Sequence, residues 1–328
     1  MKKQLLIAAV AATMTSVAFA DVSITGGMKV NYKNLDTNGV TSDKVSHELD
    51  LQVTGKTGAT TVYMELNNDS ADEIANADNS GADTNNNGNF DVEDAWMQTS
   101  IGSVAVKAGT WNGTDTILAK DSARTTGNWI LSSDVSGVNV AFEGDTEKSA
   151  VKTTLKGDIA GVSAKLVMKG ASSTTGKASD ELYLSTDIAG FGVTYAMIDD
   201  EATASDATAF TVAKEFNGVT ISYSDVDADT GYTVTGDTAA FGDAATFMTV
   251  GDDASSIKLS TSMAGNTVSA RFVSVDGLDA NTDVDVNTFT VTRPLAGGTT
   301  LEVTYTDTDK HGSDNDSELL DVELAVKF

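Results

Sequence analysis

From Val22 to Phe328 apolar and polar side chains alternate in short runs, each closed by Gly, Asn or Asp. Val22, Ile24, Met28, Val30 and Tyr32 share one parity; Ser23, Thr25, Lys29, Asn31 and Lys33 share the other. A period of two marks a β-strand with one apolar and one wet face. The pattern returns with Val45, Leu49, Leu51 and Val53 against Ser46, Glu48, Asp50 and Gln52, and with Val162, Ala164, Leu166 and Met168 against Ser163, Lys165 and Lys169. It closes the chain with Leu320, Val322, Leu324, Val326 and Phe328 against Asp321, Glu323 and Lys327. Segments 90–99, 129–134, 208–216 and 286–293 read less well as strands, and no amphipathic helix stands out.

The connections alternate in length. Tight turns are expected at Gly55-Lys56-Thr57-Gly58, Ile101-Gly102, Ala189-Gly190, Asn217-Gly218 and Gly265-Asn266. Long, Asn/Asp/Gly-rich loops are expected at about 34–44, 69–89, 111–127, 227–254, 276–285 and 308–317. Short turns on one rim and long loops on the other predict a transmembrane antiparallel up-and-down β-barrel. The runs count to eighteen strands, or sixteen if 129–145 pairs differently. A secreted β-sandwich surface protein is the alternative, with the apolar faces sharing an inner core. Charges of both signs on the wet faces favour a lumen instead, whereas an aromatic content of 6% is low for interfacial girdles.

Composition narrows the class. Lys2 and Lys3, the apolar stretch from Leu5 and the ending Ala18-Phe19-Ala20 form a secretion signal with its cut before Asp21, leaving 21–328 as one barrel domain. There is no cysteine, hence no disulfide framework and no thiolate chemistry. Net charge is −27, and −29 once Lys2 and Lys3 are removed. Such a surface repels nucleic acid.

With these ends in view, the chain resembles the Gram-negative outer-membrane general diffusion porins. The resemblance rests on Ala18-Phe19-Ala20, on the opening Val22-Ser23-Ile24-Thr25-Gly26-Gly27, and on a last strand, Leu320 to Phe328, finishing on a C-terminal Phe. It implies a homotrimeric, water-filled channel in outer-membrane lipid and lipopolysaccharide, assembled by the barrel machinery through the Phe328 strand. It also implies an inward-folded third loop, here Trp111 to Arg124, with Asp115, Lys120, Asp121 and Arg124 as candidate constriction residues. Eighteen strands would suit the substrate-selective relatives.

No catalytic constellation is present. His47 sits among the apolar positions of its strand and His311 in an acidic loop; no phosphate loop or zinc spacing appears. The stretch 83–94 matches a twelve-residue Ca²⁺ loop with Gly88 at the sixth position and Asp83, Asn85, Asn87, Asn89, Asp91 and Asp94 as candidate ligands. Position twelve is Asp rather than the usual bidentate Glu, and Asn/Asp/Gly stretches also arise as plain solvated loops. No cofactor is required. Alternation turns Lys29, Glu48, Asp50, Glu65, Lys107, Glu143, Lys152, Lys165, Arg271 and Glu302 inward, a nearly balanced ionic wall. Acids concentrated in the loops then predict weak cation selectivity set at the mouth.

Overall fold

The computed structural model describes residues 21–69, 91–111, 128–144, 151–170, 179–200, 205–228, 238–241, 253–277, 283–311 and 316–328. The proposed leader, 1–20, lies outside them. The strands are β1 (Asp21–Thr37), β2 (Val40–Thr57), β3 (Thr60–Asp69), β4 (Asp91–Ile101), β5 (Val104–Thr110) and β6 (Asn128–Val135). Next come β7 (Val138–Gly144), β8 (Lys152–Ile159), β9 (Val162–Lys169), β10 (Ser179–Ile188), β11 (Phe191–Asp200) and β12 (Ser205–Phe216). The last six are β13 (Val219–Ala228), β14 (Asp253–Met263), β15 (Asn266–Asp276), β16 (Val284–Pro294), β17 (Thr299–Lys310) and β18 (Ser317–Lys327). Each pairs antiparallel with its sequence neighbours, and β1 pairs with β18 from Gly27↔Lys327 to Thr37↔Ser317. The sheet is therefore a closed barrel of eighteen strands, which leaves no unpaired edge in lipid. The 129–145 stretch is the β6–β7 hairpin, so the count is not sixteen.

Register assigns each parity to a face. Ile24 (58% exposed), Ile257 (46%) and Leu324 (46%) belong to the parity that covers the outside, while the opposite parity lines the interior. The four poorly patterned segments each have a local cause. On β4 the register shifts: Met64 faces Ala95 but Leu66 faces Val92, so Glu93 and Asp94 together oppose Glu65 and the alternation breaks mid-strand. On β6 Ile130 takes an inner position between Lys107 and Glu143, giving three apolar residues in a row, Trp129-Ile130-Leu131. On β12 and β16 the inner positions are themselves apolar: Ala207, Ala209, Val284 and Val286 are all buried.

Those apolar inner positions have an occupant. A single helical turn, α1 (Thr238–Phe241), lies in the β13–β14 connection and is held against the inner wall of β11–β16. Phe241 is 0% exposed among Ala196, Ile198, Val226 and Val275, and Ser256 Oγ donates to the Ala240 carbonyl at 2.8 Å. Burying one Phe stabilises such a seat by roughly 1.5–3 kcal/mol.

Two sequence expectations are corrected. Residues 34–44 are not a long loop: β1 and β2 run 17 and 18 residues and meet at Asn38-Gly39. Both turn residues have positive φ (54° and 77°), the two-residue geometry that Asn-Gly favours between twisted strands. Asp36 fastens the turn by accepting from Gly39 N–H (2.8 Å) and the Thr41 hydroxyl (3.0 Å). Asp227, expected to open the 227–254 loop, belongs with Asp225 to β13, and the two take outer positions opposite Thr208 and Phe210.

The outer face is banded. At the end bearing the long connections, outer positions carry Asp36, Asp43, Asp180, Asp199, Asp206, Asp225, Asp227, Asp253, Asp276, Asp285, Asp307, Asp309 and Glu318. Below them stand Tyr32, Phe191, Tyr195, Phe210, Phe216, Tyr223, Phe272, Phe289, Tyr305 and Phe328. Tyr32 and Tyr223 donate their hydroxyls up to Asp43 (2.9 Å) and Asp225 (2.8 Å), as amphipathic rings do at a lipid–water boundary. At the short-turn rim Lys214 lies 3.9 Å from the Phe191 ring centroid and donates to the Ala189 carbonyl at 3.3 Å, snorkelling out of the apolar band.

Candidate functional site: the lumen

Strand parity puts Lys29, Glu48, Asp50, Glu65, Lys107, Glu143, Lys152, Lys165, Arg271 and Glu302 on the inner wall. The sequence reading placed Asp115, Lys120, Asp121 and Arg124 at the constriction; they lie outside the described residues. So do Asp83, Asn85, Asn87 and Asn89 of the candidate Ca²⁺ loop. Its other two residues, Asp91 and Asp94, stand on β4.

On the β17–β4 side the wall is a carboxylate network with lysines set into it. Lys29 Nζ meets Glu48 Oε2 at 3.0 Å, and Lys33 meets Asp321 at 3.8 Å. Asn67 donates to Asp50 (2.8 Å), Gln52 and the Tyr63 hydroxyl both donate to Glu65 (2.9 Å each), and Thr292 donates to Glu302 (2.8 Å). Asp94, displaced by the β4 bulge, acts electrostatically on Lys107.

Lysines dominate β8 and β9. Register sets Lys152 opposite Lys169 and Lys156 opposite Lys165. Like charges directly across a sheet repel, and neighbouring groups offset this at three of the four. Lys152 pairs with Glu143 at 2.7 Å, Lys169 pairs with Glu181, and the Lys165 ammonium lies 4.9 Å from the Tyr183 ring centroid.

Aromatic side chains inside the barrel form a second feature. Tyr63 stacks on Trp96 with centroids 5.1 Å apart, and Lys107 lies 4.4 Å from the Trp96 ring and 4.2 Å from that of Trp111. Trp111, the first residue of the β5–β6 connection, is only 7% exposed. The cation–π clamp thus holds the start of that connection against the inner wall.

Sequence reasoning did not find α1 or the Lys107 clamp. A four-residue turn has no detectable period. The clamp was half visible, because Tyr63 sits on a wet parity where an aromatic ring needs a partner. Glu181 was recoverable from its alternation with Leu182 and Leu184.

A closed barrel, apolar outside and ionic within, defines an outer-membrane channel. The match to the Gram-negative porin model over residues 7–313 establishes that the chain belongs to that family. No curated protein sequence matches it. Among solved structures it is similar to Pseudomonas aeruginosa OccK11 (OpdR), with a TM-score of 0.69, 12% identity, and 94% of this chain and 96% of that one covered. It is also similar to Pseudomonas aeruginosa OccK9 (OpdG), with a TM-score of 0.68, 12% identity and coverage of 94% and 99%. A third is Pseudomonas aeruginosa OpdK, solved with vanillate, at TM-score 0.67, 9% identity and the same coverage. At such identities the likeness is one of fold. The chain is an outer-membrane porin, a channel and not an enzyme.

Proposed function

We propose that the protein is a passive, water-filled pore for small hydrophilic solutes and ions, weakly cation-selective and assembled as a homotrimer in outer-membrane lipid and lipopolysaccharide. The observation that carries this is the partition of charge round the lumen. In a ring of eighteen strands β18 and β9 are half a circuit apart. Asp321 and Glu323 on β18 therefore stand across the water from Lys165 and Lys169 on β9. A field directed across the pore orients dipolar solutes and admits ions of both signs. With inner charges close to balance, the acidic rim at the long-loop end tips the preference toward cations. Reversal potentials across a salt gradient in planar bilayers test this. Cation preference that weakens as salt rises is expected, and anion preference in the wild type would refute it.

A substrate-selective channel is the second reading, favoured by the lysine rows. Two like-charged pairs facing each other on β8 and β9 cost stability that a neutral wall would not. They form a cationic track suited to carboxylate solutes, of which the vanillate of the OpdK structure is one. Liposome swelling with sugars, amino acids and vanillate separates the two. Uptake graded by size alone supports the first reading, and carboxylate uptake above that of neutral solutes of equal size supports the second.

A further inference from the structure

We propose that the lumen carries a binding cage for quaternary ammonium solutes, walled by Trp96 and Trp111 and filled by the chain's own Lys107; this rests on the water-filled pore proposed above. Trp96 on β4 and Lys107 on β5 both take inner positions, and Lys107, Gly109 and Trp111 follow one another at alternate positions. The Lys107 ammonium lies 4.4 Å from the Trp96 ring centroid and 4.2 Å from that of Trp111. Both distances fall well inside the roughly 6 Å over which a ring face attracts a cation. Lys107 and Trp96 are only half-buried, so the cage is not sealed from the lumen.

The walls are fixed from both sides. Gly109, between the lysine and Trp111, has a φ of 141°, and a Cβ there would strike the Ala95 carbonyl oxygen and stand 2.6 Å from the Trp96 Cα. The bare backbone therefore lets β5 lie close against Trp96. On its β3 side Trp96 stacks on Tyr63 at 5.1 Å, and the Tyr63 hydroxyl is tied to Glu65 at 2.9 Å. A ring held in this way needs little further ordering when a ligand arrives.

Hydrogen bonding selects the class of cation. Asp94 and Glu143 act on Lys107 through space, without a hydrogen bond to it, and its cross-strand neighbours are Gln98 and Ile130. Among the described residues Lys107 makes neither a hydrogen bond nor an ion pair. An ammonium carries three donors, and these residues satisfy none of them. Lys214 shows the contrast: it also meets two rings, but its ammonium donates to the Ala189 carbonyl at 3.3 Å. A quaternary ammonium has no N–H to satisfy, and ring faces are its usual partners. The cage therefore suits a trimethylammonium group better than the lysine that fills it. Lys107 is a tethered competitor of the solute, and choline is the simplest probe.

The chain has three tryptophans, so Trp129→Phe leaves only the two cage indoles to report. Detergent-extracted protein in this background is titrated with choline chloride, with potassium and ammonium chloride at equal ionic strength as references, and indole emission is read. A saturating response to choline alone is expected. Lys107→Met removes the competing charge and should lower the half-saturating choline concentration roughly ten-fold, whereas Trp96→Leu should abolish saturation. No choline-specific response in Lys107→Met, or a half-saturation no lower than with the lysine present, would overturn the proposal. Should Lys107→Met not fold, Lys107→Gln is titrated in its place under the same criteria; should neither fold, a choline-specific response in the Trp129→Phe protein supports the cage and its absence overturns it. Planar-bilayer conductance of the same proteins separates the two readings. Conducting channels without the choline response would leave the pore standing and remove the cage, and a choline response in protein that does not conduct would count against the pore alone.

Discussion

Phe328 lies with its ring against the bare backbone of Gly26, and the two residues exchange main-chain hydrogen bonds of 2.9 and 3.0 Å. They continue the β1–β18 seam past its last paired rung, Gly27↔Lys327, so the chain's final residue completes barrel closure. A Cβ at position 26 would stand 2.6 Å from the Asp50 carbonyl oxygen and 2.9 Å from the Phe328 ring. Only glycine fits there. Gly26→Val is expected to lower the temperature at which the folded band is lost in heat-modifiability gels, because overpacking a filled site costs about 1–3 kcal/mol. Phe328→Ala should destabilise less than Gly26→Val, and the double variant by less than the sum, because the ring is one of the two obstacles.

Most of this barrel is written in its alternation, and the exceptions have physical causes. Where a strand separates lipid from water, as β18 does, the period of two is forced on the sequence and is readable. Where the interior is not water, it fades: Val284 and Val286 are buried in the inner apolar cluster that also holds Phe241, so their apolar character does not report a lipid-facing position. A bulge reverses parity within β4, and no local composition announces it. The long-loop reading of 34–44 failed for a different reason. Asn38-Gly39 is a strong hairpin signal, yet the acids and amides around it resemble those of a solvated loop. The inner charges were legible because parity alone places them. Their ion pairs were not, since pairs such as Lys29–Glu48 depend on register between strands.

Phe241 offers a direct handle on the inner segment. Removing a fully buried Phe costs about 3–5 kcal/mol at its seat. Here the cost falls on the docking of α1, not on the strand ladder. Phe241→Ala is therefore expected to raise single-channel conductance or its open-state noise while leaving the barrel's heat stability nearly unchanged. Unaltered current levels would show that α1 does not limit the pore.

The rim pair His311–Asp285 should respond to pH. His311 Nε2 lies 3.0 Å from Asp285 Oδ2, and this hydrogen bond holds the imidazolium form above the ordinary histidine pKa of 6.5. A raised folded-state pKa means that the contact's stabilisation is complete below the unfolded value and is lost as pH rises through the folded one. In a His47→Gln background, NMR titration of His311 should give a midpoint above 6.5, and Asp285→Asn should bring it down. Equal midpoints in the two proteins would remove the coupling.

Selectivity should depend on which lumen charges lack a partner. Lys156 makes no ion pair among the described residues, whereas Lys152 is held by Glu143 at 2.7 Å. A paired charge presents a dipole to a passing ion; an unpaired one presents a monopole, and its influence survives farther into the water. Lys156→Glu should therefore raise cation preference more than Lys152→Glu, which leaves Glu143 beside a second acid and also destabilises the wall. Arg271→Glu tests the other side, because Arg271 lies opposite Lys258 and its reversal would create an attractive cross-strand pair while replacing a positive charge with a negative one. At physiological salt the Debye length is about 8 Å, so the outer acids act at the mouth and fade with added salt, while charges inside the lumen are screened less. The wild-type preference should thus fall between low and high salt, and the increment caused by Lys156→Glu should persist. If that increment disappears with salt as the wild-type preference does, Lys156 faces bulk water and the ions pass elsewhere in the lumen.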